Sequence, residues 1–501
     1  MTNFMIHLKV YARTIVFLIG LAVILTQVSC SEETQSEPGP EVSDQAAIRK
    51  TGFEENILTK VRFVGEEPTN HSVFDRMEFL GVPGVSFALI QDGQIEWAEG
   101  YGVQSLETMK VVTRDTLFQA ASLSKPVTLM AVMRMHEAGL IDLDADIQTY
   151  LAEYRLPVRA NSADNAISFR NILSHTSGLT AGGFMGYEQD AGFPTDIEVL
   201  MGSGVANSGK LKALQAPGAM LAYSGLGYMV AEIAMQDITG DSFKTLMDEW
   251  LLYPATMTSS DFAQPLPDNK HNSVARGHQA NGTPVKGGWY NYPEQAAAGL
   301  WSTAGDMATF MIEIYMAYHG NSDILDRETV RKMITDQRDG HVYGFLIDGQ
   351  GESLSIRHYG GNVGYRSFMI VYLETGNGAA YLSSSDNGGA LGTEFLYTAS
   401  NVYGWPTFHQ TEVKRTFRWV EELRNFIGTY EFNENLRVEV DYSDAEASIG
   451  IIFPNGDRYS LVPITGEDEF INAGSGVTVS FGKKGATRTL TVYGDTATRI
   501  E

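Results

Sequence analysis

A serine and a lysine three residues apart on a helix put a hydroxyl beside an ammonium, an arrangement able to activate serine for acyl transfer. Ser-x-x-Lys occurs twice in this chain, at Ser122 to Lys125 and at Ser480 to Lys483. Context separates the two. Ser122 opens a stretch that reads as a helix to Ala138, with Pro126 in the first turn, where a missing N–H costs little, and Gly139 just beyond the end. A serine at a helix start also gains from unpaired N–H groups and the positive end of the dipole. Ser480 sits in an alternating, strand-like run ending in a glycine turn, and is set aside. Alone, a pair such as Ser122 and Lys125 is more commonly an N-cap serine and a solvated lysine; the neighbouring motifs decide.

Competing motifs fall away. Gly204 to Lys210 approximates a phosphate-binding loop, but Leu211 stands where a magnesium-binding Ser or Thr is needed. His136-Glu137 lacks the second histidine of a zinc helix. No serine has glycine at both −2 and +2, which excludes a nucleophile elbow. One cysteine in 501 residues excludes Cys-based metal sites and a disulfide framework.

The segment Thr116 to Lys125 (TLFQAASLSK) resembles the nucleophile segment of the serine β-lactamase-like and penicillin-binding-protein-like hydrolases. Four further landmarks follow in that family's order: Ile172 to Leu179 (ILSHTSGL), Pro217-Gly218 with Tyr223-Ser224-Gly225, Gly299 to Asp306 (GLWSTAGD), and His358-Tyr359-Gly360-Gly361 with Gly364 to Ser367. The resemblance spans about residues 70 to 404. It implies an α+β fold, an antiparallel sheet flanked by helices with a helical subdomain, and acyl-enzyme chemistry without metal or organic cofactor.

By resemblance, Ser122 is the nucleophile, with Lys125 and Tyr223 as the activating pair. An unperturbed Lys and Tyr both titrate near 10, so each needs its environment to act as a base at pH 7. The sequence leaves open which of them takes the proton. The backbone N–H groups of Ser122 and Gly361 are the implied oxyanion donors. His358, Gly360 and Gly225 are candidate substrate contacts. His358 replaces the family's strand lysine and Gly225 an asparagine found in many relatives, which biases the site toward small esters over β-lactams. D-peptides remain a possible substrate class. His175 is expected to stabilise its loop. A ligand-binding or sensor protein of the same fold without turnover is the alternative.

These residues need a scaffold. Helical character is expected over His71 to Leu80 and Ala390 to Tyr403, with strands over Val85 to Gln91 and Gln94 to Tyr101 joined by an Asp92-Gly93 hairpin. Strands Ser367 to Leu373 and Ala379 to Ser384 follow. Beyond Trp405-Pro406 the texture changes. A short helix, 417–426, precedes alternating runs at 436–440, 448–453, 459–462, 477–481 and 488–492, the pattern of a small antiparallel barrel resembling a lipocalin-like domain. The division expected is hydrolase 61–405, linker 406–416 and barrel 417–501.

The N-terminus carries Lys9 and Arg13, an apolar run Ile15 to Leu25, and Cys30 behind Ser29. Residues 1–30 are expected as a lipoprotein-type signal with Cys30 as the lipid-attachment site, ordinary signal cleavage being the alternative. Residues 31–60 are expected as an acidic tether. The chain would then be exported across the inner membrane, periplasmic or at the outer membrane, and would touch lipid only through its anchor. With 36 basic against 61 acidic residues the net charge is −25, which repels nucleic acid. Hydrophobic residues at 43% exclude disorder for most of the chain.

Overall fold

The computed structural model describes residues 44–501 except 68–69, 158–165, 336–339 and 455; Cys30 and the signal segment lie outside the described residues. Helix α1 (Asp44–Glu55) leads to a short strand β1 (Val61–Phe63) and helix α2 (Val73–Leu80). Ser72 and Asp75 form a reciprocal capping box at the start of α2, and Gly81 closes it at φ 65°.

A seven-stranded sheet follows. Strands β2 (Gly84–Gln91) and β3 (Gln94–Gly102) form the expected hairpin, with Asp92 and Gly93 both at positive φ. The later strands are β4 (His341–Val342), β5 (Phe345–Asp348), β6 (Ser355–Asn362), β7 (Tyr365–Tyr372) and β8 (Gly378–Ser383). Their order is β3-β2-β8-β7-β6-β5-β4, antiparallel throughout.

Period-two alternation feeds two cores from single strands. Val85, Phe87 and Leu89 join one face with Phe368, Ile370 and Tyr372; Ala88, Ile90, Met369 and Val371 join the other. The first face is covered by α1 and by helix α7 (Gly388–Tyr403). The second carries helices α3 (Ser124–Glu137), α4 (Gly225–Thr239), α5 (Gln295–Ala298) and α6 (Ala304–His319).

The tether expected over 31–60 is corrected for its second half. Phe53 is fully buried, with ring centroids 5.1 Å from Phe87 and Phe395, and Arg49 and Lys50 bond Glu96 and Glu99 on β3. Residues 44–55 therefore belong to the core of the sheet domain, held by the Phe53 anchor and two ion pairs to β3 that a charge-rich local sequence disguises.

Within the expected linker, β9 (Thr411–Val413) pairs in parallel with β1. Val61 packs there with Ile464 and Ile471 of the C-terminal region, so the linker is pinned. Helix α8 (Val420–Arg424) precedes a closed eight-stranded antiparallel barrel: β10 (Gly428–Asn433), β11 (Leu436–Ser443), β12 (Ser448–Ile452), β13 (Arg458–Pro463), β14 (Glu469–Ile471), β15 (Thr478–Lys484), β16 (Thr487–Val492) and β17 (Asp495–Arg499). Ser480 lies on β15, as expected. Among the described residues no helix is long and apolar enough to cross a membrane.

Candidate active site

Ser122 lies in a single 3₁₀ turn (Ala121–Leu123) immediately before α3 rather than in the α-helix itself. In such a tight turn residues i and i+3 nearly eclipse, which stacks Lys125 over Ser122. Lys125 Nζ donates to Ser122 Oγ at 3.2 Å and to the Ala297 carbonyl of α5 at 2.7 Å. Nζ also stands 4.8 Å from the ring centroid of Tyr223. Among the described residues Lys125 has no carboxylate partner in an ion pair. The ammonium is thus held by neutral oxygens and π-faces, beside the hydroxyl it must influence.

The turn is clamped from three sides. Ala121 adopts φ 53°, a left-handed conformation uncommon for a residue with a Cβ. The Ala120 N–H donates to the Leu300 carbonyl at 2.9 Å, and Ser367 Oγ donates to the Ala120 carbonyl at 2.8 Å. Ser124, fully buried, donates its hydroxyl to the Ala121 carbonyl at 2.6 Å and accepts the Leu300 N–H at 3.0 Å. Ser124 therefore locks the turn and points away from the chemistry.

Strand β6 supplies the opposite wall. The Leu373 N–H donates to the Leu354 carbonyl, which fixes the parity of the β6–β7 ladder: 358, 360 and 362 bond toward β7, whereas the N–H groups of Tyr359 and Gly361 point away from it. Among the described residues β5 pairs with Ser355 to Arg357 and no strand takes the Gly361 N–H on that side. A Cβ on Gly360 would lie 2.2 Å from Ser367 Oγ and 2.5 Å from the Ala120 carbonyl oxygen. Only glycine there lets β6 close on the Ser122 turn.

Tyr223 stands just before α4, whose N-cap is Ser224. His175, buried and at φ 55°, pins it on both sides. Its carbonyl accepts the Ala222 N–H at 2.8 Å and its Nδ1 accepts the Ser224 N–H at 3.2 Å. The imidazole lies 4.3 Å from the Tyr223 ring and 5.3 Å from that of Tyr228. Burial and the nearby Lys125 charge hold the His175 imidazole well below its ordinary pKa, so it is neutral. This positioning role lies outside the Ser-Lys-Tyr set, and the local ILSHTSGL text is the signal for it.

His358 is buried beside Tyr223, ring centroids 6.5 Å apart, and Nδ1 has no hydrogen-bond partner among the described residues. Burial and the Lys125 charge push it down to about 3. It is neutral across the working range and presents no cation. Gly225 opens α4, but its N–H donates to the Gly182 carbonyl at 2.9 Å, and a Cβ there would meet the Phe184 ring at 2.6 Å. That backbone donor is therefore spent inside the protein, which leaves Gly225 a space-making residue. Tyr223, His175 and His358 border a cavity of about 230 Å³ that Val342, Phe345 and Leu346 also line.

Behind the site, α5 is itself held. The fully buried Glu232 of α4 accepts the Ala296 N–H at 2.8 Å, which supports the turn that presents the Ala297 carbonyl to Lys125. Glu232, a lone glutamate on an apolar helix, and Glu294, in the loop just before α5, carry no spacing signal in the sequence.

An antiparallel sheet with a helical layer, and a clamped Ser-x-x-Lys turn facing one of its strands, define an α+β architecture. The Beta-lactamase family model matches residues 71–400, and the chain belongs to that family, whose members are serine hydrolases. Among curated relatives, Protein flp of Staphylococcus aureus is 23% identical over 215 residues, 41% of this chain and 39% of that protein. The chain thus spans about two fifths of that relative's length. The octameric penicillin-binding protein homologue from Pyrococcus abyssi aligns over 85% of this chain and 98% of its own, at 20% identity and TM-score 0.58. EstCE1, described as a hydrolase with promiscuous acyltransferase activity, aligns over 72% and 99% at 18% identity and TM-score 0.55. At such identities the structural likeness establishes the fold.

Proposed function

We propose that this chain is an exported, lipid-anchored serine hydrolase that forms an acyl-enzyme on Ser122 and cleaves small esters in preference to β-lactams. The observation that carries the reading is Lys125 Nζ at 3.2 Å from Ser122 Oγ and 4.8 Å from the Tyr223 ring. The hydroxyl proton passes to the Lys125–Tyr223 pair, treated as one coupled unit, as Oγ attacks the carbonyl carbon. The oxyanion that develops is received by the N–H groups of Ser122 and Gly361. The pair returns the proton to the leaving oxygen or nitrogen, and water repeats the sequence on the acyl-enzyme.

Ester preference rests on what the site does not offer. His358 is neutral, so a substrate carboxylate gains no ionic contact, and Gly225 offers neither a side-chain amide nor a free N–H. A hydrogen bond to a charged group contributes about 1.5–3 kcal/mol and one to a polar group about 0.5–1.5. Their loss costs a β-lactam roughly 30- to 2,000-fold in rate if the two add, and an ester nothing. A D-alanine carboxypeptidase from Burkholderia cenocepacia among the structural neighbours keeps D-peptides as the next class to assay.

The test is a fluorophosphonate label located by mass spectrometry, with kcat/KM compared for a short-chain p-nitrophenyl ester and a chromogenic cephalosporin. Label on Ser122 and a faster ester are expected. Label elsewhere, or a faster cephalosporin, overturns the reading. Cys30→Ser should move the protein out of the detergent phase; unchanged partitioning overturns the anchor alone.

A further inference from the structure

We infer that the cavity beside Tyr223 receives the alcohol half of the substrate ester, and that this alcohol is a small polyol whose hydroxyls bond the buried imidazoles of His175 and His358. This assignment rests on the hydrolase reading of Ser122 and names the substrate class for it.

Two buried ring nitrogens border the cavity without a partner. His175 Nδ1 accepts the Ser224 N–H at 3.2 Å, so in the neutral ring the proton sits on Nε2. That Nε2–H has no hydrogen-bond partner among the described residues, and neither has His358 Nδ1. Both imidazoles line the same space of about 230 Å³. Buried polar nitrogens are rarely left unpaired, and two on one cavity call for polar atoms in its occupant. Among the described residues no carboxylate, lysine or arginine lines it, while Val342, Phe345 and Leu346 supply apolar wall.

A hydroxyl is the group that meets both needs. It accepts from the His175 Nε2–H, and it donates to or accepts from His358 Nδ1, whichever tautomer that ring adopts. A carbonyl or ether oxygen could only accept, an ammonium could only donate, and an alkyl chain does neither. A carboxylate would lose its hydration without meeting a cation in the lining. At the roughly 25 Å³ per atom implied by benzene in a cavity of about 150 Å³, some nine non-hydrogen atoms fit.

The path of the proton decides which half of the ester lies there. Tyr223 borders the cavity, whereas Ser122 and Gly361, which hold the acyl carbon and its oxyanion, do not. The Lys125–Tyr223 pair hands the proton to the leaving oxygen, so the group on that oxygen lies on the Tyr223 side. On acylation the bond from Ser122 Oγ to the acyl carbon forms, the bond to the alkoxy oxygen breaks, and the polyol leaves with the proton from Ser122. The wall is set beforehand: the Gly344 N–H, between β4 and β5, donates to the Leu173 carbonyl at 3.0 Å.

The experiment compares kcat/KM of the full chain for 2,3-dihydroxypropyl butyrate and propyl butyrate, followed by acid release. The two share the acyl group and the three-carbon alcohol and differ by two hydroxyls. Two hydrogen bonds predict that the diol ester is faster by about 5- to 150-fold. The ratio is read within each variant, so any fall in overall rate cancels. His358→Leu should lower it by about 2- to 12-fold, the worth of one hydrogen bond. His358→Asn, whose amide keeps a hydrogen-bonding atom near the place of Nδ1, should hold the ratio within about twofold of wild type. A wild-type ratio near one, the result if water alone serves the two imidazoles, overturns the assignment whether or not the leucine variant folds. So does a ratio unchanged in a folded His358→Leu. No cleavage of either ester together with no label on Ser122 overturns the hydrolase reading itself and the assignment with it.

Discussion

Replacing His175 by alanine tests whether Tyr223 is held in its working position by an uncharged imidazole. The substitution leaves the Ser224 N–H without its acceptor, a loss of about 1–3 kcal/mol for a buried donor. It also removes ring contacts with Tyr223 and Tyr228, each about 0.5–1.5 kcal/mol by aromatic-pair standards. The terms share one side chain and overlap, so about 2–4 kcal/mol is expected, a fall in Tm of roughly 3–6 °C for a domain of this size. A Tyr223 displaced by an ångström would lower kcat about 10²-fold. His175→Asn is the informative partner, because asparagine tolerates φ near 55° and its carbonyl can accept the same N–H. It should recover most of the Tm and bring kcat within about tenfold of wild type. Since burial keeps His175 neutral, the acid limb of kcat/KM should stay where it is in both variants. Differential scanning fluorimetry and a pH–rate profile on the ester give the readout. Wild-type Tm and rate in His175→Ala would refute the clamp. An acid limb that vanishes in a stable His175→Asn would instead make the imidazole a titrating base.

Ser124→Ala should still take the fluorophosphonate label on Ser122, yet lose about 1–3 kcal/mol because the Leu300 N–H is orphaned; a lost label with unchanged Tm would contradict the assignment. His358 has a folded pKa of about 3 against an ordinary 6.5, so the unfolded chain binds this proton first and stability falls as pH drops from about 6.5 toward 3. His358→Asn should flatten that part of the Tm–pH curve, and an unaltered slope there would show that the imidazole does not titrate as placed. Glu294, buried with both oxygens unpartnered among the described residues, is pushed by burial up to about 8. The folded state keeps the proton that the unfolded chain releases above about 4.5, so stability declines as pH rises through that window; Glu294→Gln should be the more stable form at pH 8 and lose its advantage near pH 5. Arg76 and Glu394 form a buried bidentate pair at 2.6 and 2.8 Å, so Arg76→Ala should cost about 3–5 kcal/mol by leaving a carboxylate unpaired, as chemical denaturation would show.

Features that are local, or ordered along the chain, are legible before folding. The Asp92-Gly93 hairpin, the helix behind Ser122 and the strands around 367–384 follow from turn chemistry and periodicity, which act over a few residues. The five landmarks carried the family, and with it the strand facing Ser122. Strands β10, β14 and β17 escaped notice because short segments such as Glu469–Ile471 gain strand identity from barrel closure rather than from their own alternation. Helix α1 escaped for a related reason: its hold is Phe53 against Phe87 and Phe395, residues far away along the chain. Tertiary structure alone decided that Ser124 is a lock, that His175 grips both flanks of Tyr223, and that the Gly225 N–H is already spent on Gly182. Each of these depends on which distant group occupies the few ångströms beside a side chain, and spacing along a chain carries no record of that.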